Sequence, residues 1–507
     1  MRLSIHKGHY IFLIAISAFL FFNVINLGIF DFNVDEGMYI YHAKVIRDGK
    51  IPGKDFFSHQ PPLYPIALSI FTRWFPENLF TYRLVSLLAV AITGILIFGI
   101  SCRFFPANIA VFSTVLFYFA PLQFHGKLAL PNALMVLFSS LAFYFLFIKN
   151  RTKYTILSGI CMSIAILFKP IAISTFLSFI LIAVLLKRYR NKSRSFLLTA
   201  LVIIVLFLFF INIQAEGNPL KLIEAQVNRL LNCDGFKFAR GIRLFNKMLY
   251  ENNITSAIDW NLYSHKMVFL RKPLTNLNFY LFAIALIAIP GMLVRFYRRY
   301  DIRIISFLIW LIFPFLFSIF IWTPSWDHYY IEYLPALSIM GTSLIYQVYC
   351  GFKKNCMMYI FLVIILLVYS FFGILKSNVN HYFYEKVHKL EVSHGNELFT
   401  LNPLINFLTF TKPVCDIIDP LNQYAPFGTV FVRADNNFFL HLIDDNQIIA
   451  RIESDPRIKI AIDKWFIYLA SRRLWEYIQN LDQKRLLYIY PPEEIKTIDA
   501  GLPRQLF

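Results

Sequence analysis

The chain is 507 residues long, and 58% of these residues are hydrophobic whereas only 16% are charged. Soluble proteins carry about 25% charged residues, so this composition excludes a soluble globular protein and indicates an integral membrane protein. The net charge of +19 does not indicate nucleic-acid binding. Seventeen of the 49 Lys and Arg residues lie in the short segments that are expected on the cytoplasmic side, where anionic lipid headgroups attract them.

Apolar stretches of about 20 residues, long enough to cross the hydrocarbon core as a helix, recur through the first three quarters of the chain. We expect eleven membrane spans, at residues 9–30, 80–101, 107–124, 131–148, 154–169, 171–186, 195–214, 276–294, 304–322, 330–349 and 357–375. The first stretch lacks the small-residue cleavage site of a signal peptide, so a retained helix is expected. The Lys169-Pro170 step is compatible with either a kink or a turn.

Positive charge is distributed unevenly between the two sides of these spans. If the N-terminus is cytoplasmic, the inner segments hold seventeen Lys and Arg residues and a single acid, Asp301. This asymmetry is the positive-inside pattern. It places the first loop, the 215–275 loop and the tail from residue 376 on the extracytoplasmic side of a cell inner or plasma membrane.

The segment after the first span predicts two short helices. Asn33 to Glu36 reads as a capping box that starts a helix, and Gly49 supplies a stop. The apolar face of this helix is formed by Met38, Tyr41, His42, Val45 and Ile46. Residues 63–75 form a second apolar helix that is too short to span, and residues 219–231 repeat the pattern. We expect all three helices to lie along the outer membrane surface.

The tail from residue 376 has a mixed composition that predicts a small α/β domain. Short strands are expected at 428–432, 447–450 and 485–490, and helices at 404–418, 436–443 and 461–480. Strands that alternate with helices are typical of a parallel sheet. The chain therefore divides into a transmembrane domain, 1–375, with outer-surface helices in 31–79 and 215–275, and an extracytoplasmic α/β domain, 376–507. The tail has no glycine-rich phosphate loop, so no nucleotide site is expected.

Asp35 and Glu36 are adjacent acids just beyond the first span. A carboxylate at the membrane surface can act as a general base that takes the proton of a hydroxyl group. Both acids would also be favoured at a helix N-terminus by the helix dipole, without any catalytic role. The residues alone leave these two interpretations open.

A resemblance to a known family adds to this reading. The Asp-Glu pair after the first span and the Pro-Pro-Leu-Tyr sequence at 61–64 resemble the protein O-mannosyltransferase and aminoarabinose transferase superfamily, which is glycosyltransferase family 39-like. The order of elements agrees over about residues 9–375. The resemblance implies an α-helical polytopic membrane protein with a C-type glycosyltransferase fold that uses a polyprenyl-phosphate sugar as donor. It also implies an inverting reaction, with Asp35 as general base and Glu36 beside it.

The resemblance further implies residues that hold the donor phosphate. His59 and Gln60 match the polar pair before Pro61, which is Glu-Lys in the aminoarabinose transferases, so one charged contact is lost here. Lys169 is similar to the lysine of a Lys-Gly step that faces the lipid phosphate. The alternative for Lys169 is an ammonium that extends to the lipid headgroups.

Two further positions match the superfamily at the outer ends of spans. Arg83 lies where an arginine is frequent, although interfacial anchoring would explain it equally well. Asp327, His328 and Tyr329 resemble a tyrosine motif on the phosphate side. An aromatic belt explains the tyrosine but not the two polar residues together.

The chain departs from the superfamily at Asn132, where a second acid usually begins the fourth span. An asparagine can hold an acceptor hydroxyl, but it cannot supply the charge of a strong metal ligand. We therefore expect no required cofactor, and a divalent metal ion is not favoured.

The sequence thus predicts a glycosyltransferase whose partners are a polyprenyl-phosphate-linked sugar, membrane lipids and a lipid, glycan or protein acceptor, with no nucleic acid. The alternative is a non-enzymatic flippase or transporter of a lipid-linked sugar. Transporters usually place polar sites near the bilayer midplane and often contain internal repeats. Here the candidate charges lie at the outer rim and no repeat is visible, which favours the enzyme.

Overall fold

The structure is a computed structural model. It describes residues 2–28, 34–52, 55–56, 61–120, 123–149, 151–186, 189–214, 280–299, 303–320, 327–351, 386–387, 389–390, 397–400, 403–408, 412–413, 445–462 and 472–489. The α-helices before residue 352 are α1 (Arg2–Asn26), α2 (Val34–Arg47), α3 (Leu63–Thr72), α4 (Leu79–Ser101), α5 (Ala107–Tyr118), α6 (Phe124–Lys127), α7 (Asn132–Phe143), α8 (Thr152–Phe168), α9 (Ile173–Leu185), α10 (Arg190–Gln214), α11 (Tyr280–Arg299), α12 (Arg303–Phe320) and α13 (Leu334–Gly351). α7 continues into a π-helical stretch, Tyr144–Lys149, and a 3₁₀-helix, Asp327–Tyr333, precedes α13.

Four helical stretches in the described part are long and apolar enough to cross a membrane. They are His9–Asn26, Leu79–Ser101, Asn132–Lys149 and Arg190–Ile211. Six shorter apolar helices accompany them, at Leu63–Thr72, Ala107–Tyr118, Thr152–Phe168, Pro170–Leu185, Ile284–Leu293 and Ile305–Phe317. The expected span 357–375 and the expected surface helix 219–231 lie outside the described residues. The count of eleven spans therefore stays a prediction.

The Lys169-Pro170 step is a turn and not a kink. Proline has no N–H group and disfavours a helical conformation in the residue before it. α8 accordingly ends at Phe168, and Lys169 is extended, with φ −151° and ψ 117°. Pro170 then opens a single 3₁₀ turn that leads into α9. The lysine therefore stands at the junction of two helices and not inside one.

The helices divide into two compact units. The first comprises Met1–Gly28, Arg83–Phe207 and Asp234–Asn378, and the second comprises Ile29–Tyr82, Leu208–Cys233 and Val379–Phe507. The segment Ile29–Tyr82 thus falls in the same unit as the tail of the chain. The division at residue 376 that the sequence predicts remains a prediction.

Aromatic side chains and small residues hold the first unit together. Trp310 of α12 is buried, stacks on Phe143 at a centroid distance of 4.6 Å and meets Phe179 of α9 edge-on at 5.3 Å. α8 and α10 approach closely at Gly159, where a Cβ atom would lie 2.9 Å from the carbonyl oxygen of Phe196. Close backbone approach at small residues is the usual way in which helices associate in lipid.

In the second unit, α2 ends in the way that its sequence predicts. Gly49 has a φ of 91°, and Gly49 N–H and Lys50 N–H donate to the carbonyl oxygens of Ile46 and Val45, both at 3.0 Å. This is the Schellman pattern, in which glycine takes the left-handed conformation. Residues 36–43 are all buried, not one face alone, because α3 and the short helix 403–408 both pack on α2. The single apolar face that the sequence predicted is therefore wrong for the first half of α2.

The tail contains a four-stranded parallel sheet in the order β2-β1-β3-β4. Its strands are β1 (Glu397–Phe399), β2 (Lys412–Pro413), β3 (Lys459–Ile462) and β4 (Leu486–Tyr488), and its helices are α14 (Pro403–Leu408), α15 (Asp445–Ser454) and α16 (Arg472–Gln479). Arg451 of α15 forms a two-pronged ion pair with Glu397 of β1, at 3.0 and 2.9 Å. This pair fixes the helix against the sheet.

The predicted elements of the tail are partly right. The strand at 485–490 is confirmed by β4, but the strand at 447–450 is wrong, because these residues belong to α15. Ile448 and Ile452 are both fully buried, and their four-residue spacing is a helical repeat that a four-residue window cannot reveal. The helices 404–418 and 461–480 are shorter than expected, since both ranges also contain strand residues. The ranges 428–432 and 436–443 lie outside the described residues.

Candidate functional site

The turn at Lys169 places a charged side chain inside the first unit. Lys169 is 6% exposed, and its Nζ atom donates a hydrogen bond of 2.5 Å to Oδ1 of Asn132. Asn132 is fully buried at the start of α7. Two residues that the sequence singled out separately are therefore in direct contact, and Lys169 does not extend to the lipid headgroups.

A buried glutamate that the sequence analysis missed lies near this pair. Glu332 belongs to the 3₁₀-helix before α13 and is 2% exposed. Its Oε1 atom accepts hydrogen bonds from the hydroxyl groups of Ser174, at 2.9 Å, and Thr175, both at the start of α9. Its Oε2 atom is buried and has no hydrogen-bond partner among the described residues. The ammonium of Lys169 acts electrostatically on this carboxylate.

We refer to Asn132, Lys169, Ser174, Thr175 and Glu332 as the buried polar cluster. It combines one cation and one carboxylate in an apolar surrounding, where each charge is costly unless it is paired. Glu332 could have been found from the sequence, because it is an acid inside the apolar stretch 330–349. An ionisable residue in such a stretch is a functional candidate by default.

Aromatic side chains fix the 3₁₀-helix that carries Glu332. Tyr330 and Tyr333 are buried, and both meet the ring of Phe282 edge-on, at 5.7 and 6.1 Å. The hydroxyl of Tyr333 also donates to the carbonyl oxygen of Pro314, at 3.4 Å. Tyr330 thus belongs to the core and not to an interfacial belt.

The segment before α7 brings two more buried polar residues to this region. Gln123 is 1% exposed, and neither its Oε1 nor its Nε2 atom has a hydrogen-bond partner among the described residues. Lys127, at the end of α6, is buried, and this burial lowers the pKa of its ammonium to about 8. α6 packs against both α7 and the 3₁₀-helix of Glu332.

Arg83 makes a contact that a purely structural role would explain. It is fully buried in the first turns of α4, and its Nη1 atom donates to the carbonyl oxygen of Leu27 at 3.0 Å. Leu27 follows the last residue of α1, where carbonyl groups lack intrahelical donors. Arg83 therefore ties α4 to the end of α1.

Asp35 and Glu36 lie in the first turn of α2, in the second unit. Asp35 is half-buried, whereas Glu36 is fully buried. Neighbouring residues on a helix point in directions about 100° apart, which explains why adjacent acids have different environments. Of the two, Asp35 is the one that another molecule can reach.

The remaining predicted site residues are only partly visible. His59 and Gln60 lie outside the described residues. Asp327, His328 and Tyr329 form the first turn of the 3₁₀-helix that also carries Glu332, and their side chains are not described.

The described residues contain no group of three or more His, Cys, Asp or Glu side chains that could hold a metal ion. At the position where the superfamily usually has its second acid, Oδ1 of Asn132 already accepts from the ammonium of Lys169. A divalent cation placed there would face a positive charge and a neutral ligand. This position does not fit a metal ion.

Comparison with known proteins supports the resemblance that the sequence suggested. Residues 59–213 match the family model described as dolichyl-phosphate-mannose-protein mannosyltransferase. No curated protein matches the chain. The matched segment contains Arg83, Asn132 and Lys169.

Solved structures of membrane enzymes resemble the fold. ArnT from Cupriavidus metallidurans, bound to undecaprenyl phosphate, matches 88% of this chain and 88% of its own, with 13% identity and a TM-score of 0.58. The Archaeoglobus fulgidus oligosaccharyltransferase in complex with Zn and sulfate matches 80% of this chain, with 13% identity and a TM-score of 0.55. The chain covers 62% of that oligosaccharyltransferase. AglB from the same organism, with an inhibitory peptide and a dolichol-phosphate, gives 12% identity and a TM-score of 0.52 over 90% of this chain and 69% of its own.

These similarities concern the fold of the chain and the family resemblance of one segment. The chain has the predominantly helical C-type fold of membrane glycosyltransferases, as expected. Within that class, residues 59–213 resemble the dolichyl-phosphate-mannose-protein mannosyltransferases, so the predicted family resemblance is confirmed over this range. The orientation in the membrane and the roles of individual residues stay predictions.

Proposed function

We propose that this protein is an inverting glycosyltransferase that moves a monosaccharide from a polyprenyl-phosphate donor to an acceptor hydroxyl at the outer membrane surface. The observation that carries the proposal is the buried ammonium of Lys169, fixed at a helix break inside the segment that matches the mannosyltransferase family. A buried cation is retained where it meets an anion. The acceptor is a lipid, a glycan or a protein.

Lys169 is the main ligand of the donor phosphate in this proposal. The hydrogen bond to Asn132 holds the ammonium in one place, so little rotamer freedom is lost when the phosphate binds. A lysine acts on phosphate as a compact point charge. Gln60, His59 and the segment 327–329 are proposed as further ligands on the phosphate side, and Arg83 would contribute through its position near the end of α1.

Asp35 is the proposed general base, and Glu36 is a positioning residue. A base must touch the acceptor hydroxyl, and Asp35 is the accessible member of the pair. An Asp35 carboxylate oxygen takes the hydroxyl proton while the acceptor oxygen forms a bond to the anomeric carbon. The bond between that carbon and the phosphate oxygen breaks on the opposite face. The phosphate leaves with the electron pair, and the ammonium of Lys169 stabilises its charge.

No cofactor takes part in this scheme, because Lys169 supplies the positive charge that a metal ion would supply elsewhere. The matched structure with Zn and sulfate concerns another protein. In this chain Oδ1 of Asn132 accepts from the ammonium of Lys169, which supports a scheme without a metal ion at this position.

The test uses purified protein in liposomes with a panel of polyprenyl-phosphate monosaccharides. We expect release of polyprenyl phosphate, and its loss in Asp35→Asn and Lys169→Ala. Lys153→Ala is the control, because Lys153 is an exposed lysine in the same matched segment. Movement of an intact lipid-linked sugar across the bilayer without release of polyprenyl phosphate would instead identify a flippase and contradict the proposal.

A further inference from the structure

One buried carboxylate oxygen in the first unit, Oε2 of Glu332, has no role in the proposed reaction. Oε1 of Glu332 is fixed by the hydroxyl groups of Ser174 and Thr175, but Oε2 has no hydrogen-bond partner among the described residues. A buried acceptor that lacks a donor destabilises the folded protein. Such an atom is retained when a ligand supplies the donor.

We infer that Oε2 of Glu332 accepts a hydrogen bond from a hydroxyl group of the sugar that is being transferred. The inference rests on the proposed function, because it takes the ligand to be a polyprenyl-phosphate sugar. Glu332 would then be a specificity-determining residue for the sugar and not a general base.

The position of Lys169 supports this assignment. Lys169 acts electrostatically on Glu332 and is the proposed ligand of the phosphate, which is joined directly to the sugar. Glu332 therefore lies on the phosphate side of the anomeric carbon. In an inverting transfer the base works on the opposite face, so a carboxylate on the phosphate side is placed to bind the sugar and not to activate the acceptor.

Charge indicates which chemical group the carboxylate binds. The positive charge of Lys169 acts on Glu332, so a second cation at Oε2 would be repelled by the lysine. A neutral donor avoids this repulsion, and hydroxyl groups are the neutral donors that a monosaccharide presents. A site that is built to hydrogen-bond a hydroxyl strongly rejects an analogue that lacks it.

A second polar group in the same region strengthens the inference. Gln123 is buried, and both polar atoms of its side-chain amide are without hydrogen-bond partners among the described residues. It directly precedes α6, which packs against the 3₁₀-helix of Glu332. An amide can both donate to a sugar hydroxyl and accept from one, whereas a carboxylate only accepts, so the two side chains together can bind neighbouring hydroxyl groups. Two unsatisfied side chains on adjoining segments indicate one polar subsite.

The test measures binding of two ligands to the full-length protein in nanodiscs. One ligand is a polyprenyl-phosphate sugar that the wild-type protein consumes, and the other is the same polyprenyl phosphate without sugar. The variant is Glu332→Gln, whose carbonyl oxygen can still accept from Ser174 and Thr175, while its amide nitrogen cannot accept from a hydroxyl. The control is Ser178→Ala, a buried serine of α9 outside the buried polar cluster, whose hydroxyl donates to the backbone carbonyl oxygen of Thr175 at 2.7 Å.

In Glu332→Gln we expect affinity for the sugar-bearing donor to fall roughly ten- to hundredfold, the range for a hydrogen bond to a charged group. Affinity for plain polyprenyl phosphate should not fall, because the loss of the Glu332 charge leaves the positive charge of Lys169 more available to the phosphate. Ser178→Ala should leave the ratio of the two affinities unchanged. An equal loss for both ligands in Glu332→Gln, or no loss for either, would overturn the sugar subsite while the proposed function stands. A wild-type protein that binds neither ligand would overturn both.

Discussion

The contact between Lys169 and Asn132 allows a structural role of the lysine to be separated from a role in donor binding. The perturbation is Lys169→Met, which removes the ammonium and keeps a long apolar side chain. Because Lys169 is 6% exposed and Glu332 is 2% exposed, solvent screens their interaction little. Removal of the ammonium leaves the buried Asn132 carbonyl oxygen without its donor, at a cost of about 1–3 kcal/mol. It also removes the electrostatic compensation of Glu332, which adds to that cost.

A second substitution tests this reasoning directly. In Lys169→Met/Glu332→Gln the uncompensated carboxylate is gone, and the main remaining defect is the Asn132 carbonyl oxygen without its donor. That defect costs about 1–3 kcal/mol. The double variant should therefore be more stable than the single variant, although it carries one more substitution. Thermal unfolding in detergent, with Lys153→Met as the exposed control, measures the difference.

The single and the double variant should differ in stability but not in their affinity for the donor. Both should bind polyprenyl phosphate roughly ten- to hundredfold more weakly than the wild-type protein, because neither has the ammonium that contacts the phosphate. If the double variant regains wild-type affinity, Lys169 serves the fold alone and the phosphate assignment fails. If Lys169→Met is as stable as the control, the coupling between Lys169 and Glu332 is refuted.

Four further predictions concern other parts of the chain. Asp35→Asn should retain its fold, because asparagine keeps the size of the side chain in the first turn of α2. It should lose at least about a hundredfold of single-turnover transfer. Glu36→Gln should cost less turnover, and the opposite order would exchange their roles. Gly49→Ala should lower the free energy of unfolding by about 1 kcal/mol, because a residue with a side chain is strained at a φ of 91°. An unchanged melting temperature would contradict the Schellman assignment. Burial lowers the pKa of the Lys127 ammonium from 10.5 to about 8. Between these two pH values the unfolded state binds more protons than the folded state, so the free energy of unfolding should rise with pH by up to roughly 3 kcal/mol. Lys127→Met should abolish the rise. A reporter that is active only in the cytoplasm should be silent when fused after residue 507, and a bright reporter would show that the span count is wrong by one.

The sequence predicted those features that depend on local rules. Gly49 ends α2 as expected, because a left-handed residue is required there, and Pro170 interrupts the helix, because it lacks an N–H group. The contact of Lys169 with Asn132 was not predictable in the same way. The two residues are 37 positions apart, and their contact depends on how α7 and α8 pack.

Two errors have an identifiable physical cause. Glu332 was missed because the stretch 330–349 was judged by its overall apolarity, and a single acid changes that average little. The strand at 447–450 was predicted from four residues, too few to distinguish the repeat of a helix from that of a strand. Ile448 and Ile452 are both buried and lie four residues apart, which is the repeat of a helix. Burial, however, is known only from the folded chain.

The turn at Lys169-Pro170 also has a consequence for how the protein enters the membrane. It leaves α9 with 13 residues, a length of about 20 Å, whereas the hydrocarbon core is about 30 Å thick. Such a segment is a poor substrate for stable insertion by itself. α9 packs against α12, which the ribosome completes much later. We expect nascent chains that stop between these two helices to be exposed to quality-control proteases, and chains that extend past α12 to be protected from them.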